Sequence, residues 1–167
     1  LDPTLLLTAE RWRSVSFSAR QLPDRYIVAY AVNMKDDVVS RARKIAAERH
    51  IPLVYVHGND WTPVAGAKNI YAARPDEFVY LIQKAEVVVT SSFHGTCFSI
   101  LMHRPFTIVM NLWKENANSR LESLLQLVGI DDKAAATQVI EPNWENVDER
   151  LNHERVQSLD FLKRELM

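Results

Sequence analysis

The residues best suited to chemistry lie in one short stretch of this chain, EVVVTSSFHGTCFSILMHRPF at residues 86–106. Its centre combines hydroxyls, an imidazole and one of only four glycines: Ser91, Ser92, His94, Gly95 and Thr96. An apolar strand pattern precedes these residues and a helical pattern follows them. Backbone N–H groups at the start of a helix, flanked by hydroxyls, can hold a phosphate or a carboxylate without any lysine. The stretch therefore indicates an anion-binding turn.

His94 could take part in this chemistry in two ways. It could donate a hydrogen bond to the anion, or act as a general acid or base, because its unperturbed pKa lies close to neutrality. The alternative is that Ser92 merely caps the helix and His94 packs against a neighbouring loop. The residues alone leave both interpretations open.

Cys97 follows His94 by three residues and so shares a similar helix face, and a Cys/His pair can make a nucleophile. A lone cysteine inside TCFSIL is more often a buried apolar residue, which is the favoured interpretation. The HGT sequence also lacks the G-x-S-x-G pattern of a hydrolase elbow. A dinucleotide cofactor is disfavoured because no G-x-G-x-x-G is present.

Other candidates come from the polar loop and helix around residues 111–122. Arg120 lies near a helix start, after a loop containing Lys114, and could clamp a carboxylate or a phosphate. The alternative is that Arg120 is solvated or pairs with Glu122 or Glu115. Both interpretations stay open.

Aromatic residues suggest a further possibility. Trp61, Trp113 and Tyr30 could line a platform for a sugar, although aromatic residues at strand ends and in loops more often serve packing. The remaining histidines show no spacing that suggests metal ligation, so we expect no metal site.

Composition limits the class of protein. The 167 residues, 47% hydrophobic and 25% charged, suffice for one globular domain with its own core. A formal charge of −1 gives no electrostatic case for nucleic acid. Apolar runs such as YIVAYAV are far shorter than the roughly 20 residues of a membrane span. The single cysteine excludes an internal disulfide and suits a reducing compartment.

Strand and helix patterns alternate along most of the chain. Strands are predicted at residues 26–32, 53–57, around 70, 86–89 and 105–110, and helices at 36–49, from 75, 95–102, 118–128 and 144–167. This alternation predicts an α/β fold, a Rossmann-like three-layer domain with a mainly parallel sheet. Ligands of such sheets bind at the carboxyl ends of the strands. Gly95 would there let a ligand approach the backbone amides.

We expect a single domain over residues 1–167. It would comprise an inter-domain segment and helix at 1–24, an α/β core at 25–143 and a C-terminal helix at 144–167. Thr8 is the predicted N-cap of the first helix. The chain starts at Leu1 within what reads as an extended segment, without an initiator methionine or a signal peptide, which suggests a piece cut from a longer protein.

Three stretches together resemble the C-terminal half of the polysaccharide pyruvyl transferase family: DPTLLLTAERW, RPDEFVYLIQKAEVVVTSSFHGTCFSILMHRPF and NSRLESLLQLVGI. Each motif is weak alone. The set is fairly specific through the order and spacing of D-P-x-L-L, P-x-E-F, V-V-T-x-S-F-H-G-x-x-F-S and S-R-x-x-x-L-L. The resemblance runs from Asp2 to about Ile130. Family members are similar to GT-B glycosyltransferases, in which two Rossmann-like domains face each other across a cleft.

The resemblance implies a transferase that moves the enolpyruvyl-derived group of phosphoenolpyruvate onto two hydroxyls of a sugar, giving a pyruvate ketal and phosphate. It implies that Ser92, Phe93 and His94 contact phosphoenolpyruvate, with His94 as the general acid. The predicted substrate site also includes Ser91, Gly95, Thr96, Tyr30, Asn118 and Arg120. No metal and no cofactor besides the donor substrate are expected.

The implied partners are an acceptor, either a sugar or a lipid-linked oligosaccharide, and a missing N-terminal domain. The product would be a bacterial capsule, exopolysaccharide or cell-wall glycan. The implied location is the cytoplasm, with a peripheral position at the inner face of the membrane as an alternative. We expect the fragment alone to bind the donor weakly and to be inactive, and the tail helix to pack on the missing domain.

One position departs from the family. Some members carry an arginine soon after the first strand of this domain, where this chain has YIVAYAVNMKDD with Tyr30, Asn33 and Lys35. The second anion clamp could then be Arg120, Lys35 or a residue of the missing half.

Two other functions stay open. A GT-B glycosyltransferase would use a nucleotide sugar and would need an acidic residue for the ribose, for which Glu77 or Glu115 could serve. The third possibility is a noncatalytic module that senses a phosphorylated metabolite through the same anion site.

Overall fold

A computed structural model describes residues 1–111, 113 and 117–166. The strands are β1 (Ile27–Tyr30), β2 (Leu53–Val56), β3 (Ala67–Ile70), β4 (Val87–Thr90) and β5 (Phe106–Ile108). The helices are α1 (Pro3–Leu6), α2 (Ala9–Val15), α3 (Lys35–Arg49), α4 (Pro75–Lys84), α5 (Phe93–Leu101), α6 (Ser119–Leu127), α7 (Asp132–Thr137) and α8 (Trp144–Leu166).

The five strands form one sheet in the order β3-β2-β1-β4-β5, and every neighbouring pair is parallel. The central strand β1 pairs with β2 on one side and β4 on the other, with Ile27 opposite both Leu53 and Val87. The prediction of an α/β, Rossmann-like domain with a mainly parallel sheet is confirmed.

Continuous apolar strands are needed because helices cover both faces of the sheet. Successive residues of a strand point to opposite faces, so Val28 joins one buried cluster and Ile27 joins another. Helix α3 covers the face of Ile27 through buried residues such as Val38. Helices α4, α5 and α6 contribute to the cluster on the other face.

Some predicted boundaries were wrong in a way that affects the site. Helix α5 begins at Phe93 rather than at Gly95, so Phe93 and His94 belong to its first turn. The chain start was predicted to be extended, whereas α1 forms directly after Asp2, whose side chain accepts from the Thr4 amide at 2.9 Å. Helix α7 was also missed. The helix capped by Thr8 is confirmed as α2.

Helix α8 packs onto the domain through its first half, where Val147 and Leu151 are buried. Its second half leaves apolar residues such as Phe161 and Leu166 exposed. No helix within the described ranges is long and apolar enough to cross a membrane. Whether α8 packs on another domain, and the division at residues 24 and 143, stay predictions.

Candidate functional site

A crevice of about 580 Å³ opens at the carboxyl ends of β1, β2, β3 and β4. Its walls include Tyr30 at the end of β1, His57 after β2, Ala73 after β3, and Ser92 and His94 after β4. The strand order reverses between β1 and β4, which defines the topological switch point where α/β sheets bind ligands. We call this space the crevice.

Residues 90–96, which run from the end of β4 through the first turn of α5 and are called the β4–α5 turn below, use most of their hydroxyls inside the fold. Thr90 donates to the Tyr30 carbonyl at 2.7 Å and accepts from the Ser92 amide at 3.0 Å. Ser91 donates to the Asn33 carbonyl at 2.6 Å. The bonds to Tyr30 and Asn33 tie the end of β4 to the end of β1. Ser91 was predicted to contact the substrate, and in this structure its hydroxyl stabilises the turn.

Ser92 and Thr96 likewise form the start of α5. Ser92 is the N-cap, and its hydroxyl accepts from the Gly95 amide at 3.2 Å. Thr96 is fully buried, and its hydroxyl donates to the Ser92 carbonyl at 3.0 Å. The hydroxyl of Thr96 would have to be uncovered to meet a ligand, while Ser92 reaches the crevice wall.

Gly95 has a packing reason for lacking a side chain. A Cβ at this position would lie 2.6 Å from Thr90 Oγ1, which no normal contact allows. The sequence suggested instead that Gly95 opens the backbone to a ligand. The structure shows a buried residue that lets α5 approach β4 closely, and thereby sets where the first turn of α5 lies.

His94 is the residue of this turn that faces outward. Its side chain is 52% exposed, it lines the crevice, and its Nε2 lies 4.0 Å from Oδ1 of Asp2. The aromatic ring of Phe93 meets the imidazole edge-on at 5.5 Å between centroids. An imidazole placed in this way can exchange protons with a molecule in the crevice.

Asp2 is the site residue that the sequence reasoning missed. Its carboxylate also lies 3.3 Å from the guanidinium of Arg120, so it stands between two basic side chains. Burial tends to raise the pKa of Asp2, but hydrogen bonds at Thr4 and the charges of His94 and Arg120 outweigh burial, and the pKa lies below its usual value. An Asp–Pro pair at a helix start was the available signal, because Asp favours N-caps and Pro favours N1.

Arg120 lies behind Phe93 rather than across the crevice. Its guanidinium carbon is 4.0 Å from the centroid of the Phe93 ring, a cation–π contact. The side chain borders a second cavity of about 400 Å³ together with Asp2 and Phe93. Of the predicted pairing partners, Glu115 lies outside the described residues, and the observed partner is Asp2.

Tyr30 and Asn118 occupy different settings. Tyr30 packs its ring edge-on against Phe78, with centroids 4.8 Å apart, and burial raises its pKa. It lines the crevice, as expected. The side chain of Asn118 accepts a hydrogen bond from the Asn111 amide at 2.9 Å and donates one to the Asn111 carbonyl at 3.0 Å. It therefore stabilises the loop before α6.

Two other predicted candidates are engaged elsewhere. Lys35 forms an ion pair with Asp60 and donates to the Thr62 carbonyl at 2.9 Å, so its charge is compensated. The pKa of Asp60 is strongly lowered by this partner. Lys114 lies outside the described residues.

Cys97 and Glu77 are buried. Burial raises the pKa of the Cys97 thiol to about 12, which keeps it protonated and unreactive near neutral pH. Glu77 forms an ion pair with Arg20 at 2.7 Å and accepts from Ser18 at 2.8 Å. A Glu77 paired in this way does not offer its carboxylate to a ribose.

Within the described part of the chain, no group of acidic, histidine or cysteine side chains is placed to hold a metal ion.

Residues 1–112 match the family model described as polysaccharide pyruvyl transferase. The chain belongs to this family, and the predicted resemblance is confirmed. No curated protein matches the chain significantly.

Two solved structures are similar in fold. The UDP-GlcNAc 2-epimerase from Methanocaldococcus jannaschii matches at 13% identity and a TM-score of 0.48, over 86% of this chain and 41% of that one. A putative UDP-N-acetylglucosamine 2-epimerase from Listeria monocytogenes matches at 15% identity and a TM-score of 0.46, over 84% and 48%. The chain thus spans less than half the length of either protein.

Proposed function

We propose that this chain is the phosphoenolpyruvate-binding domain of an enzyme that forms pyruvate ketals on sugars of a bacterial surface polysaccharide. Membership of the polysaccharide pyruvyl transferase family supports a transferase. The observation that carries the donor assignment is the placement of a half-exposed His94 in the first turn of α5, at the switch point of the sheet.

Phosphoenolpyruvate suits this site because it carries two anionic groups. In the first turn of α5 the Gly95 amide is taken by the Ser92 cap, whereas the amides of Phe93 and His94 come before any intrahelical partner. Together with the positive end of the helix they favour a phosphate or a carboxylate. Arg120, stacked behind Phe93, adds a positive charge nearby.

His94 would act as the general acid. Protonation of the methylene carbon makes C2 of phosphoenolpyruvate electrophilic, and an oxygen of one sugar hydroxyl forms a bond to C2 while its proton passes to a base. The C2–O bond to phosphate then breaks, and phosphate leaves with the bonding electrons. A second hydroxyl attacks C2 and loses its proton, which completes the ketal.

Asp2 would position His94 for this step. A protonated imidazole gains a favourable charge interaction with a carboxylate 4.0 Å away, and the same carboxylate also holds Arg120. Asp2 is itself fixed because it caps α1. The three groups therefore form one connected set beside the crevice.

The remaining parts of the proposal concern the whole enzyme. The acceptor would be a sugar or a lipid-linked oligosaccharide, and a further N-terminal domain would complete the cleft. We place its action in the cytoplasm, with a peripheral position at the inner face of the membrane as the alternative, as the family resemblance implies.

The test is an NMR titration of the chain with phosphoenolpyruvate, inorganic phosphate and a UDP-sugar. We expect phosphoenolpyruvate to shift the amides of residues 90–96 in the wild type and in His153→Ala, but much less in His94→Ala. His153 is the matched control, because it is an exposed histidine on α8 that contacts Gln157. Inorganic phosphate should give smaller shifts in the same turn, since it lacks the carboxylate.

The other outcomes contradict the proposal. A response to the UDP-sugar alone would favour a glycosyltransferase. Shifts that His94→Ala leaves unchanged would remove His94 from the site. Silence with all three ligands would show that this chain does not bind the donor by itself.

A further inference from the structure

Three aromatic rings form a stack at the carboxyl ends of β2 and β3. His57 and Tyr71 lie 4.1 Å apart between centroids with 17° between their planes, and Tyr71 and Trp61 lie 5.5 Å apart at 1°. His57 follows β2 and Tyr71 follows β3, so the stack is on the same sheet edge as His94. We call these three residues the aromatic stack.

The inner ring of the aromatic stack is fixed. His57 is buried, its Nδ1 lies 2.7 Å from the carbonyl oxygen of Asp60, and its Nε2 lies 2.7 Å from Oδ1 of Asn69. The ring of Tyr55 meets it edge-on at 4.7 Å. His57 also lines the crevice, so the aromatic stack starts at the crevice wall.

The middle ring is held through its backbone. The carbonyl of Tyr71 accepts from Arg20 at 2.9 Å, and Arg20 is itself held by the buried Glu77. The next residue, Ala72, has a φ of +50°, a left-handed conformation that is uncommon for alanine. A turn kept in this conformation is fixed by its surroundings, which here include the Tyr71 backbone.

The outer ring, Trp61, remains open to solvent. Trp61 is 61% exposed although one face of its indole lies parallel to Tyr71. Its loop is fastened on both sides, because Asp60 pairs with Lys35 and accepts from the Thr62 amide at 2.8 Å. The outward face of the indole is therefore a flat, pre-oriented apolar surface.

We propose that Trp61 is a platform on which a pyranose ring of the acceptor glycan stacks. The C–H face of a sugar ring packs favourably against the electron-rich face of an aromatic ring, and a fixed ring loses little entropy on binding. The family acts on polysaccharides, and the aromatic stack leads from the wall of the crevice that holds His94. The identity of the sugar as an acceptor rests on the proposed function.

The experiment follows the indole N–H and C–H signals of the chain by NMR during titration with three neutral disaccharides. The probes are cellobiose, N,N′-diacetylchitobiose and galactobiose, with uridine as a separate arm. At least one disaccharide should shift the Trp61 signals and leave those of Trp113, which is even more exposed, in place. Trp61→Ala should weaken that binding about three- to tenfold, and Trp61→Phe should restore most of it.

Several results would overturn the platform. They are unchanged affinity in Trp61→Ala, equal shifts at Trp61 and Trp113, no indole response to any disaccharide, or a response to uridine alone, which would indicate a base-binding surface. Phosphoenolpyruvate is titrated in the same samples. If phosphoenolpyruvate does not shift the amides of residues 90–96 while a disaccharide does shift the Trp61 signals, the proposed donor is refuted and the sugar platform stands. The reverse pattern would refute only the platform.

Discussion

The two sides of the crevice use their side chains in opposite ways. On the β4–α5 side, the hydroxyls of Thr90, Ser91 and Thr96 are bonded inside the fold, and His94 is the side chain that points outward. On the β2–β3 side, polar contacts fix an aromatic stack whose last ring is exposed. Under the proposed function, the first side supplies one reacting group, the imidazole of His94, and the second side supplies a flat surface for the sugar. Changes on the first side should therefore affect reaction and folding, and changes on the second should affect recognition.

The largest expected effect is on the reaction. His94→Ala in the complete enzyme should lower kcat by about 10²- to 10⁴-fold, because a general acid contributes on that order. Its free energy of unfolding should change little, since the imidazole is half exposed. Ketal formation assayed by phosphate release, together with thermal unfolding of the same samples, measures both. A variant with wild-type kcat would refute the catalytic role of His94 and leave the family assignment intact.

Gly95→Ala should instead damage the fold. The added Cβ would lie 2.6 Å from Thr90 Oγ1, and overpacking of this kind costs about 1–3 kcal/mol of unfolding free energy. Chemical denaturation measures the loss. The double variant Gly95→Ala/Thr90→Ala should be less destabilised than the sum of the single variants, because the clashing atoms are gone. Additive losses would show that Gly95 is needed for another reason.

The contrast between His94 and Gly95 shows which parts of the site the sequence could predict. These two adjacent residues of one motif both suggested contact with a ligand. In the structure His94 faces the crevice, whereas Gly95 packs against Thr90, where there is no room for a side chain. Burial of a particular side chain depends on the angle at which α5 meets β4, which local patterns do not specify. The parallel α/β sheet was predictable because apolar runs alternate with helical periodicity over many residues.

Long-range contacts account for the other omissions. Asp2 is 92 residues from His94 along the chain, and only the packing of α1 beside α5 brings the two together. The short helices α1 and α7 contain too few residues to show a helical period. Their local signals were the capping residues Asp2 and Asp131, with Pro3 at the first position of α1. The aromatic stack needs the register of β2 and β3, so the sequence showed its residues but not their alignment.

A smaller effect is expected from Asp2→Asn, which keeps a capping side chain and removes the charge between His94 and Arg120. Because the pKa of Asp2 is lowered in the folded chain, its carboxylate adds stability above about pH 4, and this stability is lost as the pH falls through the folded-state pKa. At pH 6 the free energy of unfolding of the wild type should exceed that of Asp2→Asn by less than about 1 kcal/mol. Denaturation at pH 6, 4 and 2.5 should show the gap closing. A gap that is constant with pH would mean that the charge does not contribute.

The smallest effect on stability is expected at the other side of the crevice. Trp61→Ala should change the unfolding free energy by no more than about 0.5 kcal/mol, because the indole is mostly exposed and its loop is fastened by Asp60 rather than by the ring. Tyr71→Ala is the matched variant, since it removes the ring between Trp61 and the buried His57. It should cost more, because His57 then loses its stacking partner. Equal losses in the two variants would show that Trp61 serves folding as much as Tyr71 does, and the division between a reactive side and a recognition side would fail.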